Sequence, residues 1–263
     1  MKICIDSGHY GKYYNQSPCN KKYYESAVMW KLHLRLKEHL EAYGFEVITT
    51  RSNLDKDRAL VDRGAASKGC ALFISLHSNA VSDRVNDSID YPVAYVPISK
   101  KGDKLGKLLA DCVQKTMGTK QAGRIESRRG ENGDYYGVIR GAVAVGTLAV
   151  LLEHSFHTHT KMTNWLLNDS NLDKLASAEA AVIADYFGIE NTKWYRVQVG
   201  AYKEMDNAKA MMAKVKKAGF DAFITAADGW LKVQTGAFSK KENAIAQAAL
   251  LKKAGFEAYI AGI

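Results

Sequence analysis

The chain has 263 residues, 47% hydrophobic and 25% charged, which is enough apolar material for packed cores and excludes a disordered chain. Its 21 Gly, 3 Pro and 4 Cys exclude collagen-like and disulfide-scaffold classes. The net charge of +9 favours polyanionic partners: nucleic acid, anionic lipid or an anionic wall polymer. No apolar run reaches the ~18 residues needed to span a bilayer. Met1-Lys2 leads at once into Ile3-Cys4-Ile5 and Asp6-Ser7-Gly8-His9, without a signal-peptide pattern. The expectation is a protein made in the cytoplasm with no evident export signal.

In chain order, the spacing predicts a strand over 2–6 and a helix over 25–43 with a stripe of Val28, Leu32, Leu36 and Leu40. A strand at 45–50, a helix at 58–67, strands at 70–76 and 91–97, and a helix at 103–117 follow. The segment 118–146, rich in Gly and charge, is expected to be a surface loop. A strand at 147–153 and a helix at 172–187 complete this region. Cys70 to Leu76 and Leu148 to Leu152 are nearly continuous apolar runs, as in strands covered on both faces. The fold class is therefore α/β over 1–190: an open, mostly parallel sheet with helices on both faces. No cysteines form a C-x-x-C pair, and Cys4 and Cys70 read as buried small hydrophobes.

The last part of the chain, 194–263, is duplicated. Arg196-Val197-Gln198-Val199-Gly200-Ala201-Tyr202 recurs as Lys232-Val233-Gln234-Thr235-Gly236-Ala237-Phe238. Lys216-Lys217-Ala218-Gly219-Phe220 recurs as Lys252-Lys253-Ala254-Gly255-Phe256. Aligned at an offset of 36, 15 of 29 positions are identical. Each unit reads as strand, helix, strand, with Asp206 as N-cap and Gly219 as C-cap of the first helix. Two copies make a small α+β domain, βαββαβ. This region has 11 Lys+Arg against 6 Asp+Glu and no histidine, so metal chemistry is not expected in it. The boundary is placed near Asn191-Thr192-Lys193.

All 7 histidines lie in the first region. His9 follows the first strand, His77 follows the strand 70–76, and Glu153 ends the strand 147–153. Ligands of open α/β sheets bind beyond the carboxyl ends of strands, so these three meet at one edge. Glu25 opens the first long helix and can face the same edge. Two imidazoles and a carboxylate suit a catalytic zinc, and a further carboxylate could take a proton from zinc-bound water. The alternative is that His9 and His77 are polar residues finishing strands. His33 and His39 read as exposed or partly packed bystanders. His154, His157 and His159 read as a solvated turn, with a second metal cluster or a substrate contact as the other possibility. H-E-x-x-H, G-x-G-x-x-G, the P-loop and G-x-S-x-G are all absent.

Ile5-Asp6-Ser7-Gly8-His9, Glu25, Arg63-Gly64-Ala65-Ala66-Ser67, Leu72 to Ala80 with its Ser75-Leu76-His77-Ser78-Asn79-Ala80 core, and Ala149 to Phe156 occur in that order. Together they resemble the zinc-dependent N-acetylmuramoyl-L-alanine amidases of the third type over about 1–190. The resemblance implies His9, Glu25 and His77 as zinc ligands and Glu153 as the catalytic carboxylate. It implies hydrolysis of the amide between N-acetylmuramic acid and L-alanine in peptidoglycan, in wall lysis by a phage endolysin or a spore former's autolysin. The tail resembles the SPOR repeat, a peptidoglycan-binding module, with Gln198, Tyr202, Gln234 and Phe238 as candidate glycan contacts. The chain departs from the amidase pattern at Leu148, at His154 and along the tyrosine-rich stretch from Tyr10 to Tyr24. Arg63 reads as a structural residue beneath the site. The runner-up readings are another zinc peptidase or deacylase, and a basic RNA-binding sheet, although the RRM signature is missing.

Overall fold

The computed structural model describes residues 1–189, 195–227, 229–238 and 241–262. The chain divides into two compact units, Met1–Glu190 and Asn191–Ile263. The expected boundary residues 191–193 lie outside the described residues.

The first unit runs β1(Lys2–Ser7), α1(Glu25–Ala42), β2(Glu46–Thr49), α2(Leu60–Ala65), β3(Leu72–Asn79), β4(Val93–Tyr95), α3(Asp103–Met117), β5(Arg124–Glu126), β6(Arg129–Gly130), β7(Gly133–Asp134), α4(Gly137–Ala144), β8(Leu148–Phe156), α5(Thr160–Leu166) and α6(Asp169–Tyr186). Six strands form one sheet in the order β2-β1-β3-β8-β4-β5. Every pair is parallel except β4 against β8.

Side chains alternate between two buried layers, which is why these strands read as unbroken apolar runs. Ile3, Ile5, Leu72, Ile74, Leu76, Val150 and Leu152 pack with α1, α3 and α6. Cys4, Phe73, Ala149 and Leu151 pack with Val138, Ile139 and Ala142 of α4 on the other face. The four cysteines are free, and burial pushes the Cys4 thiol up to about 12. The stripe Val28, Leu32, Leu36 and Leu40 of α1 is buried as expected.

The segment 118–146 departs from the expectation of a loop. It holds β5, the β6–β7 pair and α4, whose Val138 and Ile139 are buried. The cause is close backbone contact. A Cβ on Gly64 of α2 would stand 2.0 Å from the Val138 carbonyl oxygen, and one on Gly141 of α4 1.9 Å from that of Val61. Helix α5 was also missed. Helix α6 begins earlier than expected because the Asn168 side chain caps it, accepting from the backbone N–H of Ser170 and Asn171.

The second unit runs β9(Tyr195–Tyr202), α7(Met205–Lys217), β10(Phe223–Ala227), β11(Trp230–Phe238), α8(Lys241–Lys253) and β12(Tyr259–Gly262). Its antiparallel sheet has the order β10-β11-β9-β12, the expected βαββαβ arrangement. Helices α7 and α8 bury Ala208, Val215, Ala244, Ala248 and Leu251 against Val197, Val199 and Val233. Asp206 lies in the first turn of α7, whose cap is Glu204 without a side-chain bond. Among the described residues no helix is long and apolar enough to cross a membrane.

Candidate metal and catalytic site

Strand alternation sets the site. On β3, Phe73, Ser75 and His77 share the α2/α4 face of the sheet, and on β8, Ala149, Leu151 and Glu153 share it too. His77 and Glu153 are register partners at the carboxyl ends of these parallel strands. His9 follows β1 with a backbone φ of +60°. Gly8 makes room beside it, since a Cβ there would lie 2.4 Å from the His77 ring. Glu25 opens α1 and reaches the same edge.

The donor atoms of His9, Glu25 and His77 all lie within 4.8 Å of one another. Glu25 Oε1 is 3.0 Å from His77 Nδ1 and accepts the Ser78 N–H at 3.0 Å. Glu25 Oε2 is 3.1 Å from His9 Nε2 and accepts from Asn15 Nδ2 at 2.9 Å. Burial alone would raise the Glu25 carboxyl, but hydrogen bonds and attraction from His77 and His9 hold it well below its ordinary range. Two imidazoles and an ionised carboxylate in one cluster are a donor set that can hold a metal ion. Among the described residues no second such group forms.

Glu153 lines the same cleft, which has a volume of 760 Å³. Its Oε2 is buried without a protein partner. Burial, and then repulsion from Glu25, raises its pKa well above the ordinary value. The cleft is walled by Tyr10 and Tyr14 on one side chain loop and by Tyr135 and Tyr136 before α4. Arg128 stacks on Tyr135 at 3.7 Å.

Arg63 is buried and supports the site from below, as expected. Its Nη1 donates to the His9 carbonyl at 3.0 Å and its Nη2 to Asp57 at 2.9 Å. Asp6 beneath it accepts from Ser75 Oγ at 2.7 Å.

Of the other histidines, His39 is partly packed as expected, its Nε2 2.9 Å from Asp173 Oδ1, and the rest differ from the sequence reading. His33 is 1% exposed, and its Nδ1 contacts the Trp30 carbonyl at 2.8 Å. His154, His157 and His159 are all buried rather than solvated. His154 faces away from Glu153, bridging the His77 carbonyl at 2.8 Å and Glu179 at 2.7 Å. His157 lines the cleft with Nδ1 2.8 Å from the Ser78 carbonyl, and burial lowers its pKa. His159 caps α5. His157, named from the sequence only as a lesser possibility for a substrate contact, does line the cleft. Asn15 and the tyrosine walls were not singled out as functional, and only the tyrosine richness of 10–24 hinted at them.

In the second unit the register shifts around Gln234 break simple alternation. Tyr202 and Phe238 thereby pack against the core on the helix side. Gln198 remains on the open face, in a shallow groove with Arg196, Lys232 and Phe223. Gln234 lines the floor of that groove but is 3% exposed, its Nε2 donating to the Gly236 carbonyl at 3.2 Å. Tyr259 joins them as the register partner of Gln198.

The N-acetylmuramoyl-L-alanine amidase family model matches residues 3–185. The chain belongs to this amidase family. A SPOR domain model matches residues 191–262. The amidase is 28% identical over 236 residues to the sporulation-specific N-acetylmuramoyl-L-alanine amidase of Bacillus subtilis, covering 87% of this chain and 86% of that protein. It is 27% identical to N-acetylmuramoyl-L-alanine amidase CwlM of Bacillus licheniformis, over 87% of this chain and 86% of that one. Among solved structures, amidase AmiC2 of Nostoc punctiforme has the same fold, with a TM-score of 0.61 at 21% identity, covering 72% of this amidase and 97% of that chain. Cwp6 from Clostridium difficile aligns with a TM-score of 0.57 at 27% identity, covering 70% of this chain and 29% of that one.

Proposed function

We propose that the amidase hydrolyses the N-acetylmuramic acid–L-alanine amide of peptidoglycan with a zinc ion held by His9, Glu25 and His77, and with Glu153 as the proton carrier. The observation that carries this reading is one cleft lined by three clustered donors and by a carboxylate with a free oxygen. Bound zinc supplies Lewis-acid polarisation of the carbonyl and of the attacking water. Glu153 accepts the proton of that water and delivers it to the nitrogen of the departing L-alanine. Its raised pKa suits a group that must hold a proton between those two events. Arg63 fixes the backbone at His9, and the Ser78 N–H fixes Glu25.

The second unit supports wall binding. Its duplication puts two matched pairs on the open face, Arg196 with Lys232 and Phe223 with Tyr259; Gln198 joins them, its counterpart Gln234 being buried. Phe223 and Tyr259 are 46% and 60% exposed. Exposed rings offer stacking faces to sugar C–H groups, and the Gln198 amide can pair with sugar hydroxyls. This set takes the place of Tyr202 and Phe238 as the proposed aromatic contacts. A glycan strand freed of peptide by the first unit is the ligand that fits it. The two family matches favour this pairing over the peptidase and RNA-binding alternatives.

Metal analysis of the purified, desalted chain tests the cage. One zinc per chain is expected, with hydrolysis lost on chelation and restored by Zn²⁺. A His77→Ala chain that retains a full zinc complement would contradict the assignment.

A further inference from the structure

The loop between β1 and α1 brings one more side chain to the cage. Asn15 Nδ2 lies 2.9 Å from Glu25 Oε2 and 3.1 Å from His9 Nε2, so a single amide nitrogen touches both residues. The loop is tied down on both sides of that contact. The Asn15 carbonyl accepts the Glu25 N–H at 3.0 Å, and the Tyr14 carbonyl accepts the Ser26 N–H. These loop carbonyls satisfy the first N–H groups of α1, for which Tyr24 provides no side-chain cap. The Tyr14 ring stacks on the His9 ring at 4.9 Å. Asn15 has a φ of +53°, a left-handed conformation that Asn tolerates better than most residues.

We infer that Asn15 is a positioning residue for the metal cage, holding Glu25 and His9 ready for the ion; this rests on the zinc reading above. The amide nitrogen has two hydrogens and no acceptor capacity. One goes to the Glu25 carboxylate. The other faces His9 Nε2, which lies 3.1 Å from both the amide nitrogen and Glu25 Oε2, so one side chain fixes the spacing of two cage donors. On loading, Asn15 gives up His9 and keeps Glu25, fixing the carboxylate as outer partners of metal ligands do.

The test is zinc affinity of the full chain by competition with a chelating dye, for the wild type and Asn15→Ala. The variant is expected to bind roughly 10–100-fold more weakly, the usual effect of losing an outer partner. Equal affinity would overturn the inference. So would tighter binding, which would make Asn15 a competitor for the site. A wild type that binds no zinc would overturn the zinc reading itself, whereas a wild type that binds normally beside an unaltered variant overturns only the role of Asn15. A second variant guards against misfolding: Asn15→Gly keeps the left-handed backbone without strain and removes only the amide. It is expected to show the same loss of zinc affinity, and wild-type affinity in it would overturn the inference.

Discussion

His77 and Glu153 stand directly opposite each other on the parallel strands β3 and β8, and the register shifts immediately afterwards. Up to that point strict alternation carries both onto the face lined by α2 and α4. Beyond it, β8 contains one extra residue, with Ser155 at a φ of +61°. Alternation puts Glu153 in the cleft and His154, bonded to Glu179 of α6, on the other side. Moving β8 by one residue would exchange Glu153 for an apolar neighbour.

The His154–Glu179 pair is therefore expected to be structural. Both side chains are fully buried, 2.7 Å apart. Glu179→Ala leaves the buried imidazole nitrogen without its partner, which costs about 1–3 kcal/mol. Replacing both at once, His154→Met with Glu179→Leu, is expected to be far milder. Urea denaturation of the single and double variants checks this; additive losses would contradict it.

The crossing of α2 and α4 should tolerate no side chain at its glycines. Gly141→Ala places a methyl 1.9 Å from the Val61 carbonyl oxygen, and neither partner is a flexible side-chain end. Overpacking of this kind costs about 1–3 kcal/mol or more. Because Arg63 and Tyr136 flank the crossing, activity is expected to fall along with Tm. An unchanged Tm would show that the helices separate freely.

The main sheet and all four residues proposed for chemistry at its edge were named from the sequence: burial on both faces writes β3 and β8 as apolar runs with His77 and Glu153 marking their ends, His9 follows β1, and Glu25 opens α1. Helix α4 was not legible. Its eight residues sit among glycines and charges, and what holds it is close backbone approach to α2 rather than a periodic stripe. Asn15 was hidden because its contacts depend on the path of an irregular loop. His33 looked like a surface residue because its polar demand is met by the Trp30 carbonyl, a bond that residue type and spacing do not reveal. Tyr202 and Phe238 were assigned to the glycan face because repeat motifs do not announce a bulge.

Acid should weaken the fold partly through His33. Burial lowers its pKa from 6.5 to about 4. As pH falls, the unfolded chain takes up this proton first, so stability is full above 6.5 and drains away toward 4. The loss reaches about 3 kcal/mol at the low end. Urea midpoints measured from pH 4 to 7 should rise with pH in the wild type and rise less steeply in His33→Gln. Parallel profiles would remove His33 as the cause.

On the open face of the second unit, Gln198→Ala and Tyr259→Ala are expected to weaken binding to peptide-stripped glycan without lowering Tm. Tyr202→Ala should instead lower Tm, since its ring packs in the core. Sedimentation with the wall polymer, in a Glu153→Gln background to prevent digestion, separates the two groups. Loss of binding confined to Tyr202→Ala would reverse the assignment of faces.

The central claim is that Glu153 moves the proton while His9, Glu25 and His77 hold the ion. The most direct measurement is the rate at which zinc-loaded Glu153→Gln releases new L-alanine amino termini from purified peptidoglycan. The account predicts one zinc per chain, as in the wild type, and a rate lower by about 10²–10⁴-fold. A zinc-loaded variant working within a few-fold of the wild type would contradict it.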